Sequence, residues 1–255
     1  KVDVPFDLLI INTGAGARAL AVEGQEHVLA AKPVEALFSG LASRLSAPGY
    51  VIAGAGPAGL EVAFALRARS PSSPITVVER AKESLSAFPK SFRQRIARRL
   101  GERGIALRCE SALAEVSAHQ AVLSDGTRIA GTTLAFTGAA PSPLLAHLGL
   151  ALASDGFLAV DQRMVSRSRP DVMAVGDVAT CEADPRPKAG VFAVRSGPPL
   201  AAAVRAIRDG RSPPPVRLQR RGLVLLGIML ECRDVWRLKD LLDRAVVARF
   251  RAESH

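Results

Sequence analysis

Short apolar runs, bounded by glycine, proline or polar turns, punctuate this chain. Phe6–Ile11, Tyr50–Ala53, Ile75–Val78 and Thr132–Phe136 are apolar at most successive positions, the pattern of strands covered on both faces. Elsewhere the apolar spacing changes to three and four. Val34–Leu45, the Ala/Leu-rich stretch after Gly59 and Ser91–Gly104 read as helices. The last is basic, with Phe92, Ile96 and Leu100 as its apolar stripe. Ile105–Cys109, Ala112–Val116, Ala121–Leu123 and Arg128–Ile129 read as short strands, with Ser124-Asp125-Gly126-Thr127 as a hairpin turn. From Leu144 the texture changes. Asp155-Gly156 is a turn, Phe157–Val160 a short strand, and the run after Pro170 a strand ending in Gly176-Asp177. Ala189–Arg208 is helical in pattern, bent or restarted at Gly197-Pro198-Pro199. Beyond a linker at Arg211–Pro215 lie an apolar run, Leu223–Leu230, and an amphipathic helix from Asp234 to Phe250.

One passage carries chemistry as well as pattern. The Tyr50–Ala53 strand runs into Gly54, Gly56 and Gly59 at GxGxxG spacing; a helix follows, and then a second strand ending in Glu79. Each part suits a dinucleotide. Gly54 permits the tight turn, Gly56 lets the backbone approach a pyrophosphate, and Gly59 lets helix and strand pack closely. Pro57 and Ala58 complete the loop. The helix start offers unpaired N–H groups and the positive end of a dipole to phosphates. Glu79, about 20 residues past the last glycine, is placed to accept hydrogen bonds from a ribose. Its charge favours NADH, because a carboxylate repels a 2′-phosphate. Arg80 beside it pulls the other way, since a guanidinium pairs with phosphate. A second glycine signal is fainter. Thr137-Gly138-Ala139 after one strand echoes Thr13-Gly14-Ala15 after another, which suggests a duplicated architecture.

Composition narrows the classes. The 255 residues are 48% hydrophobic, enough for one large or two medium domains with a real core. Net charge is +10, but aromatics are only 4% and do not interleave with the basic residues, so nucleic acid is not expected as a partner. Most of the charge reads as solvated surface. Cys109, Cys181 and Cys232 are isolated and form no CxxC, so neither a metal site nor a dithiol centre is expected, and a reducing, cytoplasmic setting fits. The longest apolar run near the end is too short to span a bilayer. The chain opens on Lys1 and enters strand-like sequence almost at once, which predicts that its beginning is absent.

The order of motifs is strand-Thr-Gly, GxGPxGxE, Glu79, Thr-Gly-x-x-Pro, then Pro170-Asp171-Val172-Met173-Ala174-Val175-Gly176-Asp177. In that order the chain resembles the pyridine nucleotide-disulfide oxidoreductases. Within them it is most similar to type II NADH dehydrogenases and to the oxidoreductase domain fused to selenide, water dikinase. Glu26-His27, Lys32-Pro33-Val34, Lys188–Pro198 and Trp236-Arg237-Leu238-Lys239-Asp240 carry that nearer likeness. The resemblance implies an α/β, Rossmann-like, three-layer flavoprotein fold with two dinucleotide-binding domains, truncated at its N-terminus. Residues 1–47 would be a remnant of the FAD domain and 48–142 the NAD(P)H domain. Residues 143–210 would be the return segment of the FAD domain, and 211–255 a strand-helix tail. The family's first GxGxxG unit has no counterpart here.

Site residues follow from the same resemblance. Gly54, Gly56, Gly59 and Glu79 would hold the nicotinamide dinucleotide, with Gly138 passing close to it. Thr13, Gly14, Gly176 and Asp177 would line FAD. Lys188 would stand nearby, and Ala189, Gly190 and Val191 would turn N–H groups toward the flavin. Glu61, on the helix of the glycine loop, would be the catalytic acid. Plainer readings stand beside these: Gly14 and Gly138 as ordinary strand-end turns, Asp177 as a cap, Glu61 and Lys188 as solvated charges. The implied activity is hydride transfer from NAD(P)H, NADH being favoured, to FAD, and onward to a small electron acceptor such as a quinone. The alternatives are a truncated nucleotide-binding module without catalysis and a peripheral membrane or interaction protein. A second copy of the chain and the inner membrane face, met through the C-terminal helix, are further candidate partners.

Overall fold

The computed structural model describes residues 3–44 and 47–216. The expected strand Leu223–Leu230, the helix Asp234–Phe250 and Cys232 lie outside them. In chain order the elements are β1 (Leu9–Ile11), β2 (Gly16–Ala17), β3 (Leu29–Ala30), α1 (Val34–Ala42), β4 (Tyr50–Ala53), α2 (Pro57–Arg69), β5 (Ile75–Val78) and α3 (Lys90–Glu102). They continue with β6 (Ile105–Arg108), β7 (Leu113–Val116), β8 (Gln120–Leu123), β9 (Arg128–Ala130), β10 (Thr132–Ala135) and β11 (Ala139–Ala140). Last come β12 (Leu158–Ala159), β13 (Val172–Ala174), β14 (Ala179–Thr180), α4 (Gly190–Arg195) and α5 (Gly197–Arg208).

The chain forms two compact units. Among the described residues one unit holds 21–29, 41–44 and 47–136. Its sheet runs β3-β10-β4-β5-β6, and the pairs β10–β4, β4–β5 and β5–β6 are parallel. Strand alternation puts Val51 and Val78 on one face, where they meet Ala121 and Leu123 of the antiparallel β7-β8-β9 sheet. Tyr50, Ile52, Ile75 and Val77 supply the other face, and α2 and α3 pack on the strands there. α2 buries Leu60, Ala63 and Leu66, and α3 buries Ile96 and Leu100, two positions of the expected stripe. The result is the three-layer, Rossmann-like arrangement. Strand order reverses between β4 and β10, and in such sheets ligands bind at the carboxyl ends beside that reversal.

The sequence reading put the domain crossing near Pro48-Gly49. In the structure the divide falls between Gly40 and Leu41. Residues 21–29 also belong with the parallel-sheet unit, since Glu23 N–H donates to Ala114 and Val116 N–H donates back to Glu23.

The other unit holds residues 3–20, 30–40 and 137–216. β1 pairs in parallel with β13, β12 in parallel with β14, and β2 antiparallel with β11. Ile11, Leu145, Phe157, Leu158, Val172 and Val178 form one core; Met164, Met173, Val175 and Ala203 form another. The expected Phe6–Ile11 strand is shorter, because its ladder starts where Leu9 N–H meets Asp171 and lasts only as long as β13. Leu9 and Ile10 keep exposed side chains. The expected Ala189–Arg208 helix is divided at Ser196, ahead of Pro198 and Pro199, which have no N–H to continue the ladder. The Ser196 hydroxyl donates to Phe192 O (2.8 Å) and covers the break.

Candidate functional site

The glycine loop joins β4 to α2 within the parallel-sheet unit. Gly54 takes a φ of +105°, a region that L side chains rarely adopt, and its N–H donates to Val78 O (2.8 Å). A Cβ on Gly59 would stand 2.1 Å from Gly54 O and 3.4 Å from the Phe136 Cβ, so helix and loop touch backbone to backbone there. A Cβ on Gly56 would meet nothing within 4 Å. Gly56 is the N-cap of α2, Pro57 follows it, and no side chain caps the helix start. Its first N–H groups are thus left for an external acceptor.

Glu79 closes the mouth of this loop. Its Oε2 accepts from Ala55 N–H (2.8 Å) and its Oε1 from Ala81 N–H (3.0 Å). Its own N–H donates to Arg108 O (2.8 Å), which anchors the end of β5 to β6. The carboxylate is therefore aimed from two sides. Arg80 is exposed next to it, and Glu61 is exposed on α2. Cys109, one residue past β6, is half-buried; burial pushes its thiol up from the ordinary value, and Glu79, Glu110 and Glu83 add to the shift. Open space at Gly56, an uncapped helix start and a pinned acid fit the pyrophosphate and adjacent ribose of a nicotinamide dinucleotide.

The second unit gathers the other predicted residues. Gly14 and Gly138 both take positive φ, +71° and +99°. The second Thr-Gly turn is joined to the segment that follows the first: Arg18 N–H donates to Gly138 O (2.9 Å), Thr137 Oγ1 donates to Arg18 O (2.6 Å), and Ala139 pairs with Ala17. Gly176 has a φ of +73°, a Cβ there would stand 3.1 Å from Asn12 Oδ1, and Asp177 follows in a single 3-10 turn. Asp177 Oδ2 accepts from Lys32 Nζ (3.2 Å), while its Oδ1 accepts no hydrogen bond among the described residues. That free acceptor, with open space at the Gly14 and Gly138 Cβ positions, suits a polyhydroxyl cofactor chain such as the ribityl of FAD.

Lys188 turns inward. Its Nζ donates to Ala179 O (2.5 Å) and Thr180 Oγ1 (2.6 Å) and lies 4.0 Å above the Phe157 ring. Burial holds its ammonium below the usual lysine value, against the pull of Asp155 and Asp177. Ala189 caps α4 with its backbone, and Gly190 and Val191 form the first turn. A cavity of about 90 Å³ opens beside Asp177, walled by Met164, Cys181, Arg186, Lys188 and Phe192. Among the described residues no group of His, Cys, Asp or Glu is gathered as a metal requires, and no helix is long and apolar enough to cross a membrane.

Sequence reasoning names Lys32 only within Lys32-Pro33-Val34, as part of the family likeness, and gives it no place in the site, since it stands 145 residues from Asp177.

Solved structures share this fold. The chain superposes on a ferredoxin reductase for the CYP199A2 system from Rhodopseudomonas palustris with a TM-score of 0.73 at 24% identity, over 84% of this chain and 54% of that one. It matches a NAD-dependent persulfide reductase from A. fulgidus with a TM-score of 0.72 at 24% identity, over 84% of this chain and 41% of that one. A FAD-dependent pyridine nucleotide-disulphide oxidoreductase from Desulfovibrio vulgaris gives 0.60 at 23% identity, over 69% and 47%. The chain thus spans about half the length of the structures it resembles. No curated protein matches it by sequence. Residues 1–203 match the pyridine nucleotide-disulphide oxidoreductase family, and the chain belongs to that family.

Proposed function

We propose that this chain serves an FAD-dependent NAD(P)H oxidoreductase, binding NADH in preference to NADPH and passing electrons to a quinone or another small acceptor. FAD and NAD(P)H are the cofactors of its family. The chemistry bound FAD supplies is acceptance of hydride from the nicotinamide and release of electrons to the acceptor. The chain's own residues bind and orient. The start of α2 and the bare Gly56 receive the pyrophosphate; Glu79 receives the ribose hydroxyls. Gly14, Gly176 and the free oxygen of Asp177 line the flavin side.

The observation that carries this reading is the Glu79 carboxylate, held by Ala55 and Ala81 N–H groups at the glycine loop. A 2′-phosphate brought there meets a fixed negative charge, which supports NADH over NADPH. Titration calorimetry with each coenzyme tests it. Wild type gives heat with NADH and little with NADPH. Glu79→Ala loses about tenfold or more in NADH affinity, the worth of a hydrogen bond to a charged group, and the preference narrows. Absence of heat with both coenzymes, or equal affinity for the two, would sink the reading.

The glycine loop and Glu79 lie within one compact unit, which favours a second reading: a nucleotide-binding module with no turnover of its own. Purified protein that is yellow supports the oxidoreductase; colourless protein that still binds NADH supports the module. A cytoplasmic setting with contact to an anionic membrane face belongs to the same proposal, and salt-sensitive sedimentation with anionic vesicles tests it.

A further inference from the structure

We propose that Lys32 is a positioning residue for the flavin site. Its ammonium ties the Thr13–Ala15 turn to the Gly176–Asp177 turn and cancels the charge of Asp177. The inference rests on the reading above, that this chain lines a flavin. Lys32 Nζ donates to Ala15 O (3.1 Å) and to Asp177 Oδ2 (3.2 Å). The Asp177 side chain is 15% exposed and that of Lys32 is 40% exposed. A Cβ on Gly176 would stand 3.1 Å from Oδ1 of Asn12, one residue before the first turn, so the two turns lie close together there as well.

Exposed ion pairs contribute little, because water screens both partners. This pair differs in two respects. Its acid is mostly withdrawn from water, and its second acceptor is a backbone carbonyl that shapes the turn itself. Without Lys32, Asp177 becomes a poorly solvated negative charge offset only by the pull of the Lys188 ammonium, which is itself bonded to Ala179 O and Thr180 Oγ1. It would then oppose the negative charge that accumulates on a neighbouring cofactor during reduction. Lys32 thus acts through Asp177 and the Ala15 carbonyl and touches no reacting atom.

The test uses the full chain, with FAD and NADH as probes. FAD affinity is read by quenching of flavin fluorescence, the midpoint potential by equilibration with reference dyes, and NADH binding by calorimetry. Lys32→Met binds FAD about tenfold more weakly, the loss expected for one charged hydrogen bond. Its reduced form suffers about tenfold more than its oxidised form, which lowers the two-electron potential by about 30 mV. Lys32→Arg, which keeps the charge, recovers most of both losses. NADH heat stays unchanged in each variant. Wild-type FAD affinity and potential in Lys32→Met overturn the proposal. If that variant also loses NADH binding, and so its fold, Lys32→Gln decides: a lowered potential supports the role and a wild-type potential overturns it. If wild type itself takes up no FAD while NADH still gives heat, the flavin reading fails first and this proposal fails with it.

Discussion

Gly56, the N-cap of α2, and Gly59, in its first turn, sit three residues apart, and alanine at each should fail for a different reason. At Gly59 the new methyl would stand 2.1 Å from Gly54 O and 3.3 Å from its carbonyl carbon. Both obstacles are backbone, so no side chain can swing aside. Alanine gains about 1 kcal/mol over glycine within a helix. Overpacking costs about 1–3 kcal/mol, and so close an approach belongs at the upper end. The net loss is about 1–2 kcal/mol, which lowers Tm by about 2–8 °C in a chain of this size. At Gly56 nothing lies within 4 Å of the new methyl, and a φ of −74° suits alanine. Only the weaker capping preference of alanine counts against the fold, under about 1 kcal/mol. The methyl does, however, fill the space through which a pyrophosphate must approach. Gly56→Ala should therefore melt within a few degrees of wild type and bind NADH at least about tenfold more weakly. Thermal denaturation followed by calorimetry separates the two effects. A Gly59→Ala protein as stable as wild type, or a Gly56→Ala protein that binds NADH at full strength, refutes the division of roles.

Thr133 is fully buried in β10, and its hydroxyl has no hydrogen-bond partner among the described residues. Thr133→Val removes that unmet group at nearly constant shape, so Tm should rise by about 2–4 °C, corresponding to about 1 kcal/mol; a fall would show that the hydroxyl is satisfied. Cys109, whose thiol burial pushes up, should alkylate with iodoacetamide near neutral pH more slowly than an unfolded thiol, and peptide mapping with and without urea gives the ratio. Equal rates would contradict its half-buried position. Lys188 has a folded pKa below its unfolded value, so the unfolded chain binds the extra proton and stability rises with pH through the window just under the ordinary lysine value. Cys109, raised rather than lowered, pulls the other way above the ordinary thiol value. The urea midpoint of Lys188→Met minus that of wild type, followed from about pH 8 to pH 10, isolates the lysine. That difference should fall, in favour of wild type, as pH rises, and a flat difference would count against burial as the cause.

Local rules made part of this molecule legible. β4, α2 and β5 follow from one apolar run, three glycines and a second apolar run, because a strand-turn-helix needs only neighbours in sequence to declare itself. Glu79 could be placed at the loop for the same reason: a βαβ unit of fixed length leaves little choice about where its second strand ends. The Ser124–Thr127 turn likewise carries its own signal, with Asp125 Oδ1 accepting from Thr127 N–H (2.8 Å). What could not be read was long-range. Nothing in the residues around Lys32 announces that its ammonium meets Asp177. Lys188 looked like a group available to a cofactor, yet its ammonium is engaged by Ala179 O, Thr180 and the Phe157 ring. Thr13-Gly14 and Thr137-Gly138 are visible as an echo, but the bonding of Thr137 and Gly138 to Arg18, beyond the first turn, depends on tertiary geometry.

The shared direction of β4, β5, β6 and β10 sorts the chain's responsibilities by position. Positions inside those strands answer to the interior; positions just past their carboxyl ends answer to whatever molecule arrives. Gly54–Ala58 and Glu79–Ala81 belong to the second class and Tyr50–Ala53 and Ile75–Val78 to the first. A combinatorial library confined to that rim could retune coenzyme choice without touching the scaffold beneath it.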